Sequence, residues 1–517
     1  MSKREQFTAS IQKSYQTNKP TIHLGSAILE GEIIREASVN LPLKMMNRHG
    51  LIAGATGSGK TRTLQVFAEQ LSAAGVPVFM SDIKGDLSGI AQPGKTNAAL
   101  EERAKALGID FVPKGFPVEL YSLSGKLGSQ MRATILEFGP VLLSKIFDLN
   151  DTQSGVLSIL FKYADDKGLP MVDLNDLKKV LNYLSEGEGA KEIKADYGSI
   201  SSSTAGTILR KIVALEQQGV NSIFGETSFD IDDLINKVDG QGVISLLNVS
   251  DVQDKPALFS TFMLSLLAEL YSKLPEAGDL DKPKLVFFLD EAHLLFKDAP
   301  KAFQEQIEQV VRLIRSKGVG IFFCTQMSQD IPAAVLSQLG NRVQHVLRSF
   351  TPQDADALRQ TVKTYPRSDY YTIDEVLTTL GIGQALVTVL NEKGIPTEVA
   401  ATHLTPPRSI MGPMPQADYE RQFNASDLYQ KYKDPVDPES AYEILTKRME
   451  RVAQAEEEEK TSTKPARKIK EEPSMISEAL SSPLAKQIGR EVVRGIFGML
   501  FGKTTTSRKK TGGLFGF

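Results

Sequence analysis

Leu51-Ile52-Ala53-Gly54-Ala55-Thr56-Gly57-Ser58-Gly59-Lys60-Thr61 reads as three structural units in succession. The apolar residues 51–53 make a short buried strand, Gly54 to Gly59 form a glycine-rich turn, and residues 61–73 continue as a helix. Glycines let the backbone curl so that its N–H groups point inward, and the helix that follows presents its positive N-terminal end to the same place. Such a turn is built to hold phosphate. Lys60 is positioned to reach the outer phosphates of a nucleoside triphosphate, and the Thr61 hydroxyl to bind magnesium. The expected nucleotide-binding set is Gly54, Ala55, Thr56, Gly57, Ser58, Gly59, Lys60, Thr61 and Arg62, with ATP and Mg2+ as cofactors. A chance turn before a helix is a poor alternative, because the strand before it and the helix after it are the context such a loop needs.

Residues 284–291, Lys-Leu-Val-Phe-Phe-Leu-Asp-Glu, form a continuous apolar strand that ends in two carboxylates. Carboxylates placed directly after a buried strand face the cleft at the carboxyl edge of a parallel sheet, where the phosphate loop also opens. Asp290 is expected to hold the magnesium through water, and Glu291 to polarise the water that attacks the γ-phosphate. The adjacent glutamate points to hydrolysis rather than phosphoryl transfer to a metabolite. A third strand, 319–326, ends in Thr325 and Gln326. Gln326 is either a sensor touching γ-phosphate and water or a plain strand cap, while Cys324 reads as a buried thiol.

Between these strands, Phe303, Ile307, Val310, Val311 and Ile314 recur at helical spacing over 302–316. Arg312, Arg315 and Lys317 lie at the end of that helix. Either they cap it, which suits the helix dipole, or Arg315 enters a neighbouring active site as an arginine finger. Asp82 and Asp86 follow the second strand, 76–81. They are turn-forming carboxylates or, for Asp86, part of the metal shell. His293 reads as structural.

Further strands are expected at 118–121, 242–249, 343–348, 384–390 and 397–402, giving an α/β fold with one large, mostly parallel sheet. Between 131 and 235 the pattern becomes helical, as at 141–147, 155–164 and 204–216, which reads as an insertion within the core. The expected organisation is a short N-terminal segment (1–45), a core in two parts (46–130 and 236–407) around that insertion, a helical or flexible linker (408–473) and a basic tail (474–517). Residues 460–517 carry twelve Lys and Arg against four Glu, a net +8, within a chain of net charge -3. From Pro483 to Phe501 the tail reads as an amphipathic helix that packs on protein, meets a partner or lies on a membrane; protein packing is the expectation.

At 517 residues and 41% hydrophobic, the chain has material for several structural units. The overall charge excludes a protein that coats nucleic acid along its whole surface. One cysteine excludes an internal disulfide and a multi-thiolate metal site, and five scattered histidines lack zinc-ligand spacing. Residues 1–10 lack the apolar run of a signal peptide, and no stretch reaches the roughly 18 apolar residues of a membrane span, so a soluble, cytoplasmic protein is expected.

The strings RHGLIAGATGSGKT, SDIKGDLSGIA, FFLDEAHLLF and GVGIFFCTQMSQDIPAAVLSQLGNRVQHVLRSF together resemble the HerA and FtsK superfamily of ring ATPases, more narrowly its bacterial HerA-like members. The likeness runs over roughly residues 49–407. It implies a RecA-like core assembled as a homo-oligomeric ring, a hexamer, that moves double-stranded DNA and works with a nuclease or another protein partner. A second reading is a nucleotide-switched assembly that recruits or releases a protein without moving DNA. A small-molecule kinase is disfavoured by Glu291 and by the lack of a recognisable acceptor site.

Overall fold

The computed structural model describes residues 1–278, 280–297 and 301–461. The basic tail, with the helix expected over 483–501, lies outside the described residues. Among the described residues, fourteen strands form: β1 (Thr21–Leu29), β2 (Glu32–Pro42), β3 (Gly50–Ala53), β4 (Val78–Asp82), β5 (Val118–Ser122), β6 (Ser129–Gln130), β7 (Lys237–Val238), β8 (Gln241–Gly242), β9 (Ile244–Asn248), β10 (Leu285–Leu289), β11 (Val319–Thr325), β12 (Asn341–Gln344), β13 (Gln384–Thr388) and β14 (Ala400–Leu404). Twelve of them make one sheet in the order β2-β1-β14-β13-β12-β3-β11-β10-β4-β9-β5-β6.

From β12 to β6 every pairing is parallel. Parallel strands need crossover helices, which cover both faces, so these strands read as unbroken apolar runs. In β10, Val286 and Phe288 join one core layer while Leu285, Phe287 and Leu289 join the other. The first layer is closed by α1 (Lys3–Tyr15) and α2 (Lys60–Ala73). On α2, Phe67 packs against Phe288 and Phe322 with ring centroids 5.9 and 5.6 Å apart.

The remaining four strands pair antiparallel. Two of them, β13 and β14, were expected from sequence, and their direction follows from the tight turn at Asn391, whose backbone exchanges hydrogen bonds with Gly394 and Ile395. The strands β1 and β2 were not expected: no strand was read in the short N-terminal segment, yet it contributes a helix and adds a hairpin to the sheet. Gly25 shows what the β1–β14 contact demands. Its φ is +151°, and a Cβ there would stand 2.0 Å from the His403 carbonyl oxygen.

After α3 (Ala98–Leu107), residues 132–235 are mainly helical: α4 (Ile135–Ile146), α5 (Asp151–Lys167), α6 (Leu174–Ser185), α7 (Gly187–Asp196) and α8 (Ser202–Gln217). Their apolar residues, such as Phe138, Leu157 and Ile208, belong to the same core cluster as Phe287 and Phe323 of the sheet. That layer also takes α9 (Pro256–Lys273), α10 (His293–Phe296), α11 (Lys301–Ile314) and α12 (Ala333–Leu336). On α11, Phe303, Ile307, Val310, Val311 and Ile314 are buried, as the helical spacing predicts. A third, smaller cluster forms around α14 (Ile373–Thr379), beside α13 (Pro352–Val362).

Beyond β14 the chain crosses α2 and continues as α15 (Gln416–Asn424), α16 (Asp427–Tyr432) and α17 (Ala441–Thr461). The last of these packs on α6, where the buried Asp176 accepts from the Tyr442 N–H at 2.8 Å and from the Ser440 hydroxyl at 2.5 Å. Among the described residues, no helix is long and apolar enough to cross a membrane.

Candidate active site

Strand register brings the sequence-predicted groups to one edge. Thr325 of β11 lies beside Ala53 of β3, Leu289 of β10 beside Phe323 of β11, and Ser81 of β4 beside Leu289. The residues that leave these adjacent parallel strands are therefore the glycine-rich loop, Gln326, Asp290 with Glu291, and the turn that starts at Asp82.

The loop from Gly54 to Gly59 uses backbone conformations that disfavour side chains, with φ of +151° at Gly54, +76° at Gly57 and +108° at Gly59. It is pinned at both ends. Ala55 N–H donates to the Val346 carbonyl at 2.9 Å, and Gly383 N–H to the Ser58 carbonyl at 3.3 Å. Thr56 and Gly57 stand exposed at the tip. Lys60 Nζ donates across the loop to the carbonyls of Gly54 (2.6 Å) and Ala55 (3.2 Å). Thr61 follows in the first turn of α2, and Arg62 donates to Gln65 Oε1 at 3.2 Å.

Asp290 is buried at the end of β10, where its N–H donates to Ser81 Oγ at 3.0 Å. Burial, with Glu291 alongside, pushes its carboxyl above the ordinary range. The same burial, and the Asp290 carboxylate next to it, pushes the Cys324 thiol well up, so Cys324 is a buried, protonated thiol. Glu291 adopts a left-handed backbone, φ +44°, which is uncommon for a side-chain-bearing residue and is met at functional sites. Burial works against its ionisation, yet the Lys84 ammonium, with His293 and Lys60 nearby, holds its carboxyl below the ordinary range. Lys84 Nζ stands 3.0 Å from Glu291 Oε1. Oε2 is buried and has no hydrogen-bond donor, His293 Nδ1 standing off at 3.5 Å.

The carboxylate of Asp82 closes a turn: Oδ1 accepts from the N–H groups of Gly85 (2.7 Å) and Asp86 (3.1 Å), and Oδ2 from that of Leu87 (3.0 Å). Asp82 is thus the turn-former of the pair. Asp86 faces Arg62, whose guanidinium feels burial first and the Asp86 charge second, and its Oδ1 is buried without a partner. Gln326 is exposed at the end of β11 and lines a cleft of about 280 Å³ together with Ala55, Thr56, Arg348, Phe350 and Asp354.

Arg315 is elsewhere. It lies in the short turn before β11, exposed and beside Arg48, at the opposite edge of the sheet from the loop. The seven residues of β11 set the two edges roughly 20 Å apart.

Lys84 was passed over at the sequence level because a lysine in a polar turn carries no signal of its own. The residues present suit a nucleotide and magnesium: the loop conformation is that of a phosphate cradle, and Ser58 Oγ, Asp86 Oδ1 and Glu291 Oε2 are buried polar atoms lacking partners around it. Among the described residues, no three His, Cys, Asp or Glu side chains converge as a metal cage.

A profile of the family described as "Helicase HerA-like C-terminal" matches residues 28–506. The chain is 23% identical over 393 residues to a protein of Sulfolobus acidocaldarius named DNA double-strand break repair helicase HerA, covering 71% of this chain and 68% of that protein. A protein of the same name from Sulfurisphaera tokodaii is 24% identical over 380 residues, with the same coverage. Among solved structures, the bacterial conjugative coupling protein TrwB shares the fold with a TM-score of 0.50 at 13% identity, over 79% of this chain and 93% of that one. With a phosphate cradle after β3 and a carboxylate pair after β10 at one edge of the sheet, β11 between them, and the family profile matched over most of its length, this chain belongs to the HerA-like helicase C-terminal family and is a P-loop ATPase.

Proposed function

We propose that the protein is a magnesium-dependent ATP hydrolase that works as a ring-shaped, homohexameric motor on double-stranded DNA in the cytoplasm. Residues 46–130 and 236–407 form its core, and 131–235 an insertion. The observation that carries the reading is the placement of Glu291 and the Gly54–Thr61 loop on strand ends of one sheet edge. Lys60 and the loop N–H groups hold the phosphates. Thr61 and Asp290, with Asp86 in support, would hold magnesium, which supplies Lewis-acid stabilisation of phosphate charge. Glu291 orients the water and takes its proton, and Gln326 contacts the same region from β11. Arg315, at the far edge, reaches a γ-phosphate only in another subunit.

The DNA substrate rests on kinship with relatives named as DNA double-strand break repair helicases, and a nuclease or other protein partner on the resemblance to the HerA and FtsK superfamily. ATPase rates with and without long linear duplex test it. A motor hydrolyses severalfold faster on DNA and loses that gain at high salt, since phosphate contacts release counterions. Equal rates, with a large ATP-dependent change in assembly mass, would instead establish a nucleotide-switched assembly.

A further inference from the structure

We propose that Lys84 is a positioning residue for hydrolysis, which fixes the Glu291 carboxylate so that one chosen oxygen faces the attacking water. The inference rests on the reading of Glu291 as the water-activating group.

A carboxylate has two chemically equal oxygens, and rotation of the terminal bond exchanges them. At Glu291 that equality is broken. Oε1 is held by Lys84 Nζ at 3.0 Å, whereas Oε2 is buried with no donor. Oε2 therefore keeps its whole accepting capacity, whereas Oε1 shares its own with the ammonium. The pair differs from an ordinary surface ion pair because the Glu291 side chain is 11% exposed, so the carboxylate has little water to compensate for a lost partner.

The backbone around Lys84 is built to hold that position. Three N–H groups directly after it close on Asp82, Gly85 takes a φ of +72° to complete the turn, and the Ile83 carbonyl just before it accepts from Gln253 Nε2. Because β4 and β10 are neighbouring parallel strands in register, with Ser81 beside Leu289, the turn and Glu291 leave the sheet side by side. The lysine stem then spans a fixed gap. Among the described residues, the half-exposed ammonium makes its hydrogen bond to Glu291.

The test uses the full chain with Lys84→Ala, Lys84→Arg, Glu291→Gln and the double variant Lys84→Ala/Glu291→Gln. Readouts are single-turnover hydrolysis, KM for ATP, the Kd of a fluorescent ADP, and Tm. Lys84→Ala is expected to slow hydrolysis about 10- to 100-fold while KM and the ADP Kd stay within about twofold, the pattern of a group that acts on the chemical step alone. Lys84→Arg, which keeps the cation, restores most of the rate. In the Glu291→Gln background the alanine change should add less than about twofold, because two residues acting through one contact are not additive. Parental turnover by Lys84→Ala overturns the proposal, as does a raised KM with unchanged kcat or a fully multiplicative double variant. Should Glu291→Gln itself turn over at the parental rate, the reading of Glu291 fails, and that outcome is visible independently of Lys84.

Discussion

Glu69, on the helix that starts at the phosphate loop, holds the backbone of Ser409 from the far end of the core: Oε1 accepts the Ser409 N–H at 3.1 Å and its hydroxyl at 2.5 Å. Oε2 accepts the Arg408 N–H at 2.8 Å. One turn earlier, Gln65 donates to the Ser409 hydroxyl and to the Ile410 carbonyl. The segment after β14 is thereby strapped across α2. Glu69→Ala leaves two buried donors of Ser409 and the part-buried Arg408 N–H without this acceptor, a cost of about 3 kcal/mol. The expected result is a clearly lower Tm by calorimetry, with Glu69→Gln retaining part of the stability; an unchanged Tm for Glu69→Ala would mean the strap contributes nothing.

Nucleotide binding and hydrolysis separate by residue. Lys60→Ala removes the ammonium that serves the loop mouth, and with charge-assisted bonds worth about 1.5–3 kcal/mol each, affinity for a fluorescent ATP analogue should fall by about 100-fold. Glu291→Gln should keep ATP bound and release phosphate about 10²- to 10⁴-fold more slowly. Equal phosphate release by Glu291→Gln and the parent would remove Glu291 from the mechanism.

Arg315 lies across the sheet from its own phosphate loop, so the proposed role in ATP hydrolysis requires a neighbouring subunit. Mixed assemblies of Arg315→Ala and Glu291→Gln, each inactive alone, should regain activity, because some interfaces then pair one intact arginine with one intact glutamate. Assemblies shown to be mixed yet inactive would leave Arg315 a helix-capping cation.

His49 makes stability sensitive to acid. Its Nδ1 accepts the Ile321 N–H at 3.0 Å and its Nε2 bonds the Val311 carbonyl at 2.8 Å, so the buried ring is locked in one neutral tautomer. Burial pushes its pKa down to about 4. The unfolded chain takes up the proton near the ordinary histidine value of about 6.5, so the stabilisation is full above that pH and is lost as pH falls toward about 4, on the order of 3 kcal/mol in all. His345, also buried and beside Thr63 of α2, is shifted the same way. Tm should therefore drop between about pH 6.5 and 4, and His49→Gln should flatten that slope; a slope unchanged by the substitution would place the acid sensitivity elsewhere.

Local chemistry made much of this protein readable in one dimension. The loop from Gly54 to Thr61 is contiguous, and its glycines, lysine and hydroxyl have tasks set by covalent spacing alone. Strands β10 and β11 are buried on both faces, so their apolar runs announce them, and the 3.6-residue spacing on α11 names its buried side chains in advance. The α/β class and the mostly parallel sheet follow from strands alternating with helices.

What only the tertiary structure decided depends on partners distant in sequence. The strands β1 and β2 have mixed, partly exposed patterns, and they join the sheet through the pairing of β1 with β14, nearly four hundred residues on. The strap on Glu69 and the neutral lock on His49 likewise join segments that no periodicity connects. Asp82 and Asp86 are equivalent on paper, and only the backbone turn makes one a turn-former while leaving the other facing Arg62. Lys84 owes its place beside Glu291 to the registry of β4 with β10. A side chain's chemistry is written in its residue type, but which charge it meets is set by hydrogen-bonded strand register, and that is a property of the folded sheet.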